Sequence, residues 1–136
     1  KNVGEKELHT HEYVHNFLAV DGLPLSPEYR MRMPFRYKKG TVDHPDVRLA
    51  DDGFTFRRAP ETTVMLLHPE SFSADVSWEL THAKQRVGMR EMDFFEVAQA
   101  NVWCQEHVVA PEFFYAVNLK PGETAQWCRR FEWFRF

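Results

Sequence analysis

The segment HTHEYVH at residues 9–15 carries three histidines and a glutamate within seven residues. Imidazole and carboxylate groups can bind a metal ion or exchange protons near neutral pH. If residues 6–18 form a β-strand, successive side chains point to opposite faces of the sheet. One face then carries His9, His11, Tyr13, His15 and Phe17. The opposite face carries Leu8, Thr10, Glu12, Val14, Asn16 and Leu18.

A metal ion is one ligand that the histidine face could hold. On an extended strand His9 and His11 lie ~7 Å apart, close enough to converge on one ion. His15 lies too far along the strand to join them, so further ligands would come from a carboxylate or another histidine: His44, His68, His82 or His107. The HxH pattern followed by a glutamate resembles a cupin, although the spacing of the glutamate differs. A cupin-like metal-binding protein is therefore one alternative, and an imidazole face without metal is another. We favour a cleft-lining strand that binds a polar ligand, and we expect no metal and no cofactor.

A second group of chemically active residues lies in NVWCQEHVV at residues 101–109. If residues 99–109 form one strand, Glu106 shares a face with Val102, Cys104 and Val108, while Trp103, Gln105 and His107 lie on the other face. A carboxylate among apolar neighbours must be hydrogen-bonded, paired with a cation or functional, because burying an isolated charge is costly. The alternative is that this face is the solvent side of a sheet with a few exposed valines.

The elements that must position these residues are strands. Polar and apolar residues alternate with period two along the chain, and sustained helical stripes are hard to find. Strands are predicted at roughly 6–20, 29–37, 54–58, 62–67, 74–82, 85–95, 99–109, 113–119 and 124–136. Turn-forming residues separate them, as in ADDG at 50–53 and KPGE at 120–123. Short strands this closely spaced predict an all-β, antiparallel β-sandwich in a single domain over residues 1–136.

Composition argues against several classes of partner. With 136 residues the chain fits one domain with a real core. Its formal charge of −3 gives no basic surface of the kind that nucleic acid requires. Its apolar runs fall far short of the ~20 residues that span a bilayer, so no membrane segment is expected. Cys104 and Cys128 are its two cysteines, and they predict two half-buried thiols in a reducing compartment, the cytoplasm, with a single disulfide bridge as the alternative.

Three motifs in the C-terminal part resemble the galactose mutarotase-like superfamily, which includes the aldose 1-epimerases. They are the CxE element formed by Cys104, Gln105 and Glu106, the pair Pro111 and Glu112, and the PGE turn at Pro121, Gly122 and Glu123. They occur in the order and spacing of that superfamily. A weaker match is the stretch from Thr10 to Phe17, which resembles its T-N-H-S-Y-x-N-L segment. The resemblance covers only the second half of the superfamily's sandwich, so it implies a missing N-terminal half or a partner chain that completes the sheets.

The resemblance implies a carbohydrate-binding protein that interconverts the anomers of a sugar or sugar phosphate. Glu106 would be the catalytic base, and His11 or His15 the acid that protonates the ring oxygen. Trp78, Trp103 or Tyr13 would provide a flat platform for the sugar. Glu12, Asn16 and Arg90 are further candidates for contacts with hydroxyl or phosphate groups. The alternative within the same fold is a binding or structural module that has lost the chemistry.

Overall fold

The protein folds into two packed antiparallel sheets, which confirms the predicted β-sandwich. The computed structural model describes residues 1–33, 45–61, 63–67 and 77–136. Its strands are β1 (Leu8–Glu12), β2 (Tyr29–Arg32), β3 (Val47–Ala50), β4 (Gly53–Phe56), β5 (Thr63–Leu67), β6 (Ser77–His82), β7 (Val87–Asp93), β8 (Val97–Gln105), β9 (Val108–Leu119) and β10 (Arg129–Arg135). One sheet has the order β1-β9-β8-β5 and the other β10-β7-β6-β2-β4-β3. Within these ranges no helix has the length and apolar character needed to cross a membrane.

The core lies between the two sheets and is built from alternate residues of their strands. In β8 the buried side chains are Val97, which precedes a register shift, and then Ala100, Val102 and Cys104, which follow one another with period two. The opposing sheet contributes large residues, including Tyr29, Met31, Phe54, Phe56, Trp78 and Leu80. Burying one such side chain typically contributes about 1.5–3 kcal/mol. The strands are therefore held in place by a continuous apolar layer between the sheets. The opposite face of each sheet takes no part in this layer.

The predicted strand over residues 99–109 is wrong, because the chain reverses within it. β8 ends at Gln105 and β9 begins at Val108, and these two residues pair across the hairpin. Glu106 and His107 form the two-residue loop, in which Glu106 has a φ of 34°. A positive φ at a two-residue hairpin loop suits Gly, Asn or Asp, so this Glu-His pair gave no turn signal. Glu106 is consequently exposed at the loop and does not lie on the apolar face.

The predicted strand at the N-terminus is interrupted after Glu12, but its alternation is confirmed. Glu12 pairs with Tyr115, and Leu18 forms an isolated bridge with Val109. Both chains advance by six residues between these two pairings, so residues 13–17 follow β9 in the register of the ladder although they belong to no strand. From residue 12 to residue 18, half-buried even-numbered positions alternate with exposed odd-numbered ones. Side chains of this segment therefore reach both faces of the sheet.

Candidate functional site

The solvent side of the four-stranded sheet, here called the outer face, holds four of the nine predicted site residues. In β9, Val109 and Phe113 belong to the core, so Glu112 and Phe114 point to the other side. Continuing the register from Glu12 and Tyr115 places Tyr13 beside Phe114 and His15 beside Glu112. In β8 the neighbouring positions on this side are Asn101, which pairs with Glu112, and Trp103, which pairs with Ala110.

His15 and Glu112 form the polar centre of the outer face. The Nε2 atom of His15 lies 3.1 Å from Oε1 of Glu112. The Glu112 side chain is only 10% exposed, whereas that of His15 is 37% exposed. An imidazole at hydrogen-bond distance from a carboxylate can exchange a proton with it, and each group can also exchange protons with a bound molecule. The pair is therefore an acid/base couple that solvent reaches from the histidine side.

Aromatic rings surround this pair. The His15 ring stacks on Phe17 at 4.2 Å between centroids, and Trp103 meets both rings edge-on at 5.9 and 5.8 Å. On the other side, Tyr13 stacks on Phe114 at 4.4 Å. Phe17 is 63% exposed and Tyr13 is 42% exposed. Because these apolar rings stay accessible beside a polar pair, the outer face can contact a ligand that has both apolar and polar surfaces.

His11 also lies on the outer face, in β1 opposite Ala116. Its ring meets the ring of Phe114 edge-on, at 6.3 Å between centroids. The structure thus brings together four of the predicted site residues, His11, Tyr13, His15 and Trp103. Four further residues lie on this face that were not predicted as site residues: Glu112, Phe114, Phe17 and Asn101.

The inner side of the same region holds a second group of charges, Glu91, Asp93 and Arg129, here called the buried carboxylate cluster. Glu91 and Asp93 alternate on β7, and Arg129 lies opposite Asp93 on β10. The Nε atom of Arg129 is 3.1 Å from Oε1 of Glu91 and 3.4 Å from Oδ1 of Asp93. Trp78, opposite Glu91 on β6, donates a hydrogen bond of 2.8 Å from Nε1 to Oε2 of Glu91. The guanidinium of Arg129 also lies 4.7 Å from the centre of the Phe95 ring.

Burial changes the protonation of this cluster. It raises the pKa of Asp93 to about 8, the nearby charge of Glu91 adds to the shift, and Arg129 opposes it. The pKa of Glu91 is raised as well, again mainly by burial. Among the described residues, neither carboxylate oxygen of Asp93 has a hydrogen-bond partner. Asp93 therefore carries a proton at neutral pH, which relieves the repulsion between two carboxyl groups that share one guanidinium.

Glu12 and Asn16, predicted to contact substrate, point into the sandwich and join this cluster. Oε2 of Glu12 accepts a hydrogen bond of 2.6 Å from Nη1 of Arg129. Nδ2 of Asn16 donates one of 3.0 Å to Oε2 of Glu91. These placements follow from the alternation along residues 12–16, and they direct both side chains away from the outer face.

Three other predicted site residues also lie away from the outer face. Trp78 is fully buried, so its ring is not accessible as a platform for a sugar. Arg90 lies on the solvent side of the six-stranded sheet, where its Nη2 atom is 2.6 Å from Oε2 of Glu132. Glu106 is in the β8–β9 loop, and its backbone N–H donates to the carbonyl of Pro60. The expectation that Glu106 lies among apolar side chains is thus wrong.

The histidines considered as metal ligands are dispersed. His9 is held by Asn118, with 2.9 Å between Nδ1 and Oδ1, and its Nε2 atom is 3.3 Å from Glu7. His82 is buried, and its ring packs edge-on against Tyr29. His107 is exposed in the β8–β9 loop. His44 and His68 lie outside the described residues. In the part of the chain that the structure describes, no three His, Cys, Asp or Glu side chains are grouped to hold a metal ion.

Comparisons with known proteins add no relative to this description. No family model matches the chain, no curated protein matches it, and no solved structure matches it.

Proposed function

We propose that the outer face binds a carbohydrate and that His15 and Glu112 exchange protons with it, so that the protein interconverts the anomers of an aldose. The observation that carries this proposal is the 3.1 Å contact between His15 and Glu112 among exposed aromatic rings. The similarity of the Pro111–Glu112 and PGE motifs to those of the mutarotase-like superfamily supports the same activity. This part of the proposal is an analogy at the level of the family.

Binding would use both kinds of surface on the outer face. The ring of a sugar has a face of C–H groups that packs on a flat aromatic ring, and Phe17 and Tyr13 are the accessible rings. The hydroxyl groups need hydrogen-bond partners, which Asn101 and the His15–Glu112 pair supply next to those rings. The same free or phosphorylated sugar then lies within reach of the acid/base couple.

The chemistry requires one base and one acid. Glu112 removes the proton of the anomeric hydroxyl, and His15 donates a proton to the ring oxygen. The bond between C1 and the ring oxygen breaks, and an open-chain aldehyde forms. Rotation about the C1–C2 bond and reversal of both proton transfers closes the ring as the other anomer. Glu112 replaces Glu106 as the base in this scheme, because Glu112 lies beside the imidazole and Glu106 lies in the hairpin loop.

Exchange NMR tests the proposal on a panel of free aldoses and sugar phosphates. The rate of α/β interconversion is compared for the wild type, Glu112→Gln, His15→Gln and the matched control Glu106→Gln. General acid or base catalysis typically contributes 10²–10⁴-fold, so we expect about a 100-fold loss or more in the first two variants. Glu106→Gln should retain the full rate. A loss confined to Glu106→Gln would contradict the assignment of Glu112 as the base.

A carbohydrate-binding module without turnover is the second candidate, and the small exposure of Glu112 favours it. Only 10% of that side chain is accessible, which restricts the approach of an anomeric hydroxyl. Saturation-transfer NMR separates the candidates, because it detects sugar protons near the aromatic rings whether or not the anomers exchange. Sugar binding that is lost in Phe17→Ala, with no acceleration of exchange, would establish the module.

We also propose a cytoplasmic location. Cys104 is buried and Cys128 is exposed, and both thiols are free. Free thiols of this kind are typical of a reducing compartment. Labelling of Cys128 by a membrane-impermeant maleimide, before and after lysis of the producing cells, tests the location. Labelling only after lysis supports it, and labelling of intact cells contradicts it.

A further inference from the structure

The segment that carries Tyr13 and His15 has few backbone constraints of its own. The β1–β9 ladder ends at Glu12, and the next pairing is the bridge between Leu18 and Val109. Residues 13–17 between them belong to no strand. The ladder fixes the two ends of this segment, and the orientation of the His15 ring therefore depends on side-chain contacts within it.

Asn16 provides such a contact from the inner side of the sheet. It is adjacent to His15, and its Nδ2 atom donates a 3.0 Å hydrogen bond to Oε2 of Glu91. The same oxygen accepts a 2.8 Å hydrogen bond from Nε1 of Trp78, which is fully buried. Glu91 itself is 1% exposed and lies on β7, which pairs with β10 on one side and β6 on the other. Asn16 is therefore fixed to a rigid part of the opposite sheet.

From these contacts we propose that Asn16 and Glu91 are positioning residues, which hold His15 against Glu112 from the opposite side of the sheet. Glu12 strengthens the attachment four residues earlier, through its hydrogen bond with Arg129. Side chains alternate along the segment, so the hydrogen bond that holds Asn16 on the inner side directs the imidazole of the adjacent His15 to the outer side. The proposal rests on the proposed function only for its consequence on sugar binding, because the geometry of the His15–Glu112 pair can be measured without a sugar.

Two substitutions, Asn16→Ala and Asn16→Asp, test this positioning role, and Asn118→Ala is the matched control. Asn118 is an asparagine that hydrogen-bonds a histidine on the same sheet, His9. In Asn16→Ala we expect the ring-current shift of the His15 imidazole by Phe17, and its NOEs to Trp103, to be lost. Asn118→Ala should leave both signals unchanged. Cooperative unfolding of each variant establishes that it is folded.

Asn16→Asp supplies a readout that would not change if Asn16 only stabilised the fold. A protonated aspartic acid can donate its O–H to Glu91, whereas an ionised one faces that carboxylate with a like charge. The His15–Trp103 NOEs of this variant should therefore be present at pH 4–5 and lost at pH 8. They should be present at both values in the wild type and absent at both in Asn16→Ala.

Sugar affinity separates this proposal from the proposed function. If the wild type binds a sugar, Asn16→Ala should weaken that binding about 10-fold. If the wild type binds none while the His15 signals change as described, the proposed function fails and the positioning role stands. Unchanged His15 signals in a folded Asn16→Ala, or no dependence on pH in Asn16→Asp, would overturn the positioning role.

Discussion

The outer face and the buried carboxylate cluster lie on opposite sides of residues 12–17 and use similar groups for different ends. On the outer face, one carboxylate, Glu112, meets one imidazole next to accessible rings. Inside, Glu91 and Asp93 share the single guanidinium of Arg129 and are closed off from water. The first arrangement leaves a group free to exchange protons with a ligand. In the second arrangement Asp93 keeps its proton, and Arg129 links the cluster to Glu12 of β1 in the other sheet.

This difference predicts that the two regions respond oppositely to mutation. Changes in the cluster should lower stability, because each member is buried and depends on the others. Changes on the outer face should mainly alter ligand binding or turnover, because Phe17, Tyr13 and His15 remain partly exposed there. Comparing the two therefore separates groups that hold the sandwich together from groups that are available for function.

The largest expected effect is that of Arg129→Ala. Removing the guanidinium leaves two buried carboxyl groups without their cation, which typically costs about 3–5 kcal/mol. Urea unfolding of Arg129→Ala measures this loss in the free energy of unfolding. Arg130→Ala is the control, since Arg130 is the next residue of β10 and is exposed. Its effect should stay within about 0.5 kcal/mol. Equal effects of the two substitutions would contradict a structural role for the cluster.

A smaller effect is expected from pH. Asp93 has a pKa of about 8 in the folded protein, against an ordinary value of 3.8 for an aspartic acid side chain. The folded state therefore binds more protons than the unfolded state between these two pH values, and stability falls as pH rises through that range. Above about pH 8 the contribution of Asp93 has been lost and no longer changes. We expect the free energy of unfolding to fall by about 2 kcal/mol between pH 6 and pH 7.5 because of this group, since each pH unit in that range contributes about 1.4 kcal/mol.

Asp93→Asn isolates that contribution from the other titrating groups. The amide does not titrate, so the variant should lose much of the decline with pH that the wild type shows. The quantity to measure is the difference in unfolding free energy between wild type and variant at each pH. A difference that stays constant from pH 4 to pH 9 would show that Asp93 is ionised in the folded protein.

The smallest effect on stability is expected on the outer face. Phe17→Ala removes a ring that is 63% exposed, so the free energy of unfolding should change by less than about 1 kcal/mol. The same substitution removes a stacking surface and a neighbour of His15, and should weaken sugar binding about 10-fold. Thermal unfolding and saturation-transfer NMR give the two numbers. A large loss of stability without a loss of binding would place Phe17 with the structural residues.

Sequence periodicity predicted much of this arrangement. The alternation along residues 9–18 correctly placed His11, Tyr13 and His15 on one side and Glu12 and Asn16 on the other. It worked because one side of the segment faces water and the other faces the interior. The antiparallel sandwich followed from the same periodicity, together with the short spacing of the turns.

The remaining features depend on information that periodicity does not contain. The β8–β9 hairpin turns on Glu106 and His107, which carry no turn signal, and the predicted strand that ran through it placed Glu106 among apolar side chains instead of in the loop. The buried carboxylate cluster requires the pairing of β7 with β10, which sets Arg129 opposite Asp93. Two carboxylates that alternate with Met92 within a strand, Glu91 and Asp93, could have indicated a buried acidic pair. The cation that pairs with them, Arg129, is remote in sequence and could not be identified from the pattern.

The most direct test of the central claim compares Glu112→Gln with Asp93→Asn in two assays, anomer exchange by NMR and urea unfolding. The account predicts that Glu112→Gln loses about 100-fold or more in exchange rate at nearly unchanged stability. It predicts that Asp93→Asn keeps the exchange rate and changes the dependence of stability on pH. Full exchange activity in Glu112→Gln, together with its loss in a folded Asp93→Asn, would contradict the account.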